Sequence, residues 1–151
     1  QQFIKGKGFG FLKTMADTQV AQFFIPKTEA NKDYIITDAD FRQILAGYKG
    51  WQDRRTAKAS VVAQEKRFFH WFIEFPEVFG EGGFDCVLGN PPFLGGKKIS
   101  TFYGLEFSNW LKWNFPATGS ADLVAYFFRR AFDIAYSRGF VTFISTNTIS
   151  Q

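Results

Sequence analysis

The stretch at 84–93, Phe-Asp-Cys-Val-Leu-Gly-Asn-Pro-Pro-Phe, constrains this chain more than any other. It opens as an apolar run of strand length without clean alternation, the pattern of a strand with both sheet faces covered. It closes on Pro91 and Pro92. Proline fixes φ and has no N–H, so it cannot continue an interior ladder. The residue before each proline is pushed toward extended backbone. A strand here must stop near Gly89 and hand over to a stiff turn. That turn carries one side-chain amide at Asn90, main-chain carbonyl oxygens, and one aromatic face at Phe93. The Asn90 side-chain oxygen and the Pro91 carbonyl can each accept an N–H from an amine, and Phe93 can stack on a ring behind it. The set suits a planar molecule with an exocyclic amine. A nucleobase inside a duplex cannot reach such a turn unless it is flipped out.

The rest of the chain places this turn at the end of a sheet. A helix is expected at 103–113. A longer one follows Ser120, with Leu123, Val124, Phe127, Ala131, Ile134 and Ala135 inward and Gly139 closing it. The next strand is expected at 140–145. Strand, helix, strand implies a parallel pair with a right-handed crossover. Ligands of open α/β sheets sit outside the carboxyl ends of the strands, where Asn90 and Asn147 fall. Upstream, 70–73 reads as a short strand, 76–79 as a helical turn and 81–83 as a turn. Residues 1–68 read as mainly helical. Thr14 starts a first helix carrying Ala16, Val20, Phe23 and Phe24, ended by Pro26. Thr37 starts a second, with Phe41, Ile44, Leu45 and Tyr48 on one stripe, closed by Gly47 and Gly50. A third spans 53–68, with Val61, Val62, Phe68 and Phe69 inward.

Four segments carry a family resemblance. The run at 84–93 resembles motif IV of DNA adenine N6-methyltransferases. Phe69-His70-Trp71-Phe72-Ile73-Glu74-Phe75-Pro76-Glu77-Val78-Phe79 is similar to the run just upstream of that motif in large type II restriction-modification methyltransferases, the Eco57I-like group. Ser120-Ala121-Asp122-Leu123 with Tyr126-Phe127-Phe128 is similar to the following helix. Residues 139–150, with Ser145-Thr146-Asn147-Thr148-Ile149, are similar to the next strand and loop. The match spans 69–151, and 1–68 match weakly, chiefly at Ala16-Asp17 and Phe23-Phe24.

The resemblance implies an α/β fold: a partial Rossmann-like methyltransferase sheet from the motif IV strand onward, preceded by a mainly helical segment. It implies S-adenosylmethionine as methyl donor and double-stranded DNA with a flipped adenine as partner. Asn90 and Pro91 would hold the target amine, Pro92 would stiffen the turn, and Phe93 would stack on the adenine. Asp85 is a candidate on the cofactor side. Lys97 and Lys98 are candidates for phosphate contact, and Asn147 for the mouth of the site. The family also carries a glycine loop after a strand, of the form F-x-G-x-G. Gly6, Gly8 and Gly10 form a cluster with no convincing strand before it, and it reads as a flexible turn. The cofactor loop and the target-recognition domain are therefore expected outside this chain. It begins at Gln1 without an initiator Met and is expected to be a piece of a larger enzyme, inactive alone.

Bulk properties fit this reading without forcing it. The 151 residues carry a formal charge of +4, which permits nucleic-acid binding but does not demand it. No run is long enough for a bilayer span, and no signal-peptide pattern is present. Cys86, the one cysteine, reads as a small core residue, and a reducing cytoplasm is the natural setting. No metal ligand spacing is visible. His70 reads as a packing histidine, and Asp122 as a first-turn helix acid or a neighbour of the base pocket. Tyr126-Phe127-Phe128 reads as core. Two other functions stay open: a protein glutamine N5-methyltransferase, which shares NPP-type loops, and a non-catalytic nucleic-acid or protein interaction module. Exposed sheet edges of a truncated chain can also pair it into a dimer.

Overall fold

The computed structural model describes residues 7–116 and 121–144. Expectations that fall on Ser120 or on 145–151, Asn147 among them, lie outside the described residues. The chain divides into two compact units, Gln1–Glu74 and Phe75–Gln151.

The first unit is helical. Helix α1 spans Lys7–Ala21, α2 Asp38–Leu45, α3 Arg54–Lys66 and α4 Trp71–Glu74, with a 3-10 helix at Glu29–Tyr34 that the sequence did not announce. Helix α3 begins at a complete capping box. The Asp53 carboxylate accepts from the Arg55 and Thr56 backbone N–H groups, and the Thr56 hydroxyl accepts from the Asp53 N–H. These bonds satisfy donors that a helix start otherwise leaves open. Thr37 caps α2 as expected, accepting from the Asp40 N–H at 3.1 Å. Ala59 and Val62 of α3 pack with Ala21 and Ile25, and Phe24, Tyr34, Ile35 and Phe68 close the edges.

Several expectations fail here for tertiary reasons. Gly8 and Gly10 lie inside α1, not in a flexible turn. Each glycine costs a helix about 1 kcal/mol relative to alanine. Burial of Met15, Thr18 and Ala21 further along the helix offsets that cost. Helix α1 also ends at Ala21, before Pro26, because the Phe24 and Ile25 N–H groups fold back onto the Ala21 carbonyl. That turn drives Ile25 into the core. Tyr48 lies beyond α2 and is exposed, since α2 stops at Leu45 and Gly47 turns the chain at φ +78°. Val61 and Phe69 are exposed where an inward position was expected. Residues 70–73 are not a strand: the Ile73 and Glu74 N–H groups both donate to the His70 carbonyl and close the turn of α4.

The second unit is α/β. It contains α5 (Pro76–Gly80), β1 (Phe84–Gly89), α6 (Gly96–Tyr103), α7 (Leu105–Asn114), α8 (Leu123–Ile134) and β2 (Ala135–Phe143). Strands β1 and β2 pair in parallel, as expected. The helix expected at 103–113 is α7; Gly104, whose φ of +88° no ordinary helix residue adopts, separates it from α6, which the sequence did not announce. Helix α8 ends at Ile134, and Ala135 already belongs to β2. Gly139 therefore does not close a helix. It sits where the register jumps, from Phe84↔Ala135 to Cys86↔Phe140. A Cβ there would lie 2.8 Å from the Phe84 carbonyl oxygen, so only glycine lets the strands approach.

Ile99, Leu111, Leu123 and Tyr126 form the core of this unit. Phe127, expected inward, is 42 % exposed. Helix α8 covers one sheet face, with Phe128 against Phe143 at 4.8 Å between ring centroids. The opposite face is open among the described residues: Leu88, Phe140 and Ile144 are 76 %, 74 % and 69 % exposed. Cys86 on this face is exposed, not a core residue. The expectation of a sheet covered on both faces fails for that reason. No helix among the described residues is long and apolar enough to cross a membrane.

Candidate active site

The ladder and the prolines together fix where the turn at 90–93 begins. Pairing runs through Gly89↔Phe143, and the Ile144 N–H still donates to the Gly89 carbonyl at 3.1 Å. The next residue, Asn90, leaves the strand, and the chain stays irregular to Gly95. Pro91 is buried and anchors the turn, whereas Pro92 is exposed. Asn90 is exposed, and no described residue hydrogen-bonds to its amide. Phe93 is 48 % exposed and pairs with no other aromatic ring among the described residues. The turn therefore presents, among the described residues, an amide without a hydrogen-bond partner and an open ring face at the carboxyl end of a parallel strand.

The far side of the turn is tied down as firmly as the near side. Leu94 packs on the core of the unit. Its carbonyl accepts from the Leu123 N–H at 2.9 Å. The Gly96 N–H, in the first turn of α6, donates to Asp122 Oδ1 at 3.1 Å. Asn90 to Phe93 thus spans two fixed ends. Lys97 and Lys98 follow in the first turn of α6, both exposed, so the sequence neighbourhood of turn and cations is kept in space.

Asp85 is not brought to the turn. It is the second residue of β1 and exposed, about 16 Å of strand before Asn90 at roughly 3.3 Å per residue. Sequence reasoning undervalued Asp122. Its type at a helix start was visible, but its partner 26 residues earlier was not. An apolar hollow of about 150 Å³ lies between α7 and α8, lined by Trp110, Phe115, Tyr126 and Arg130 among others and not by the turn.

In the helical unit, His70 lies 2.8 Å from Asp17 and edge-on to Phe68, the packing role expected of it. Asp17, buried, also holds Lys13. Burial pushes the Asp53 carboxyl up, but hydrogen bonds from the Arg55 side chain and from the Thr56 and Arg55 backbone outweigh it, and the net is lowered. Asp40 is lowered by hydrogen bonds from Lys49 and Thr37. These groups hold helix starts together and lie in a different unit from the turn. No cluster of three or more metal-ligating side chains occurs among the described residues.

The glycine cluster near the start of the chain is not a turn where it is described. Gly8 and Gly10 are helical, and no strand precedes them among the described residues.

A family model described as Eco57I restriction-modification methylase matches residues 14–151. The match takes in the helical unit, where sequence reading saw only weak similarity before residue 69. No curated protein matches the chain, and no solved structure does.

Proposed function

The chain belongs to the Eco57I restriction-modification methylase family, and we propose that its turn at 90–93 is the amine-holding half of a DNA adenine N6-methyltransferase site. The observation that carries this reading is the simultaneous exposure of Asn90 and Phe93 on a proline-stiffened turn at the end of a parallel strand. An adenine flipped from the duplex stacks its ring on Phe93. The Asn90 side-chain oxygen and the Pro91 carbonyl each accept one N–H of the exocyclic amine. Two acceptors on one amine draw its hydrogens away from the ring plane and leave the lone pair available for attack. Orientation of this kind supplies a large part of a transfer rate. Lys97 and Lys98 meet the phosphates flanking the flipped nucleotide, a contact that positions without reading sequence. S-adenosylmethionine is the methyl donor this reading requires. What the described residues contribute is the amine side, and no step through the cofactor is drawn from them.

The test is Asn90→Ala in the full-length enzyme, assayed by methyl transfer to duplex DNA with analysis of the modified base. Loss of one donor or acceptor at a reacting centre costs about 10²–10³ in kcat. A fall of that size with N6-methyladenine as the parental product is the expected result. Unchanged turnover sinks the reading and favours an interaction module. Methylated glutamine as product replaces it with the glutamine N5 reaction.

A further inference from the structure

Asp122 occupies the N-cap position of α8, yet its side chain makes no capping bond to that helix. Aspartate at this position ordinarily accepts from the second or third N–H of its own helix, which stabilises the helix by about 1 kcal/mol. Here Oδ1 instead accepts from the Gly96 N–H, across 26 residues of chain. The neighbouring Leu123 N–H takes the Leu94 carbonyl at 2.9 Å. The start of α8 thus grips the chain at two points immediately after Phe93. The first of these replaces a bond that α8 could have made for itself.

We propose that Asp122 is a positioning residue for the turn at 90–93, acting through the Gly96 N–H. The inference rests on the reading of that turn as the amine-holding site. Its near end is set by the Ile144-to-Gly89 bond and by buried Pro91. Its far end is set by Leu94 and by Asp122. Without the Asp122 acceptor the Gly96 N–H turns to water, and the far end is held by Leu94 alone. Asn90 and Phe93 then sample orientations in which the amine acceptors and the stacking ring are not both aligned. Chemistry suffers before binding does, because phosphate contacts do not depend on this alignment.

The experiment uses the full-length enzyme on duplex DNA with a single target site. Asp122→Ala is expected to lower kcat about tenfold, the upper range of an ordinary hydrogen bond expressed as a rate. The KM for DNA is expected to stay within about threefold, the split that marks a loss felt in the transition state. Asp122→Asn keeps an oxygen acceptor and loses the charge, and is expected to restore kcat to within about threefold of the parent. If Asp122→Ala does not fold, Asp122→Ser gives the same readout, since it can cap α8 but is too short to reach Gly96. Parental kcat in the Ala or Ser variant overturns the proposal. Equal impairment of Asn and Ala overturns it too, because charge rather than the acceptor would then be at work. So does a kcat deficit that vanishes on cooling far below the melting temperature, because it would then be a stability effect. Asn90→Ala run in parallel separates the two levels. If it is impaired while Asp122→Ala is normal, only the clamp fails. If it is normal, the site reading itself fails.

Discussion

Gly83→Ala is the sharpest test of how β1 is held in place. Gly83 has φ +119° and leads directly into β1. That conformation is essentially closed to residues with a Cβ and costs on the order of 1–3 kcal/mol. A Cβ on Gly83 would also lie 2.7 Å from the Ile134 carbonyl oxygen, 2.8 Å from the Ala135 carbonyl carbon and 2.9 Å from the Tyr136 nitrogen. These are backbone atoms where α8 passes into β2, and they cannot rotate aside. Overpacking of this kind adds about 1–3 kcal/mol. The two effects together come to about 4 kcal/mol, a large share of the roughly 5–15 kcal/mol that holds an ordinary domain folded. With a urea dependence of about 2 kcal/mol per molar, the midpoint should fall by about 2 M. Gly80→Ala is the matched control. Gly80 lies in α5 and a Cβ there meets nothing within 4 Å. It should be neutral, or stabilising by up to about 1 kcal/mol. Urea titration by circular dichroism, with amide exchange on peptides covering β1, reads both variants. A Gly83→Ala chain that unfolds within about 0.5 M of the parent, a quarter of the expected shift, would refute the close approach of Gly83 to β2.

Three further outcomes follow from the same geometry. Asp53→Ala removes the acceptor of the capping box and should cost the helical unit about 1–2 kcal/mol. Because the Asp53 carboxyl is lowered, its contribution is full above the ordinary aspartate value of about 3.9 and is lost as pH falls through the lowered value. Urea midpoints of parent and variant should therefore differ at pH 7 and converge in strong acid. Phe93→Ala should weaken capture of a flipped base by about 1–3 kcal/mol. With 2-aminopurine at the target position, less fluorescence rise is expected on binding, and an unchanged rise would argue against stacking. The 151-residue chain alone is expected to show no turnover in a radiolabelled methyl-transfer assay, given that Gly8 and Gly10 are helical. Turnover above background would overturn that expectation.

The turn at 90–93 was legible in the sequence because its physics is local. Proline removes an N–H and fixes a dihedral wherever it stands, so Pro91 and Pro92 ended β1 where expected, with Asn90 and Phe93 exposed beyond it. Caps behave the same way. Asp53 and Thr37 bond to atoms two or three residues away, and both were readable as helix starts. Asp122 carried the same local cue and used it differently, because its partner Gly96 is distant in sequence and near in space. Cys86 and Leu88 read as buried from composition, yet burial depends on what packs above them, and among the described residues only the opposite face has a helix on it.

Glycine marks the division most clearly. From the sequence alone, Gly80, Gly82 and Gly83 are three similar residues near a turn, and Gly8 and Gly10 are two in a loop-like cluster. The order of elements, the stiff turn and the two capped helix starts were determined by the chain, since each depends on atoms a few bonds apart. Which glycine is indispensable, where α1 begins, which sheet face stays open and what Asp122 grips were decided only by the tertiary structure. Each of those depends on the distance to a segment far along the chain, and covalent order does not encode that distance until the chain has folded.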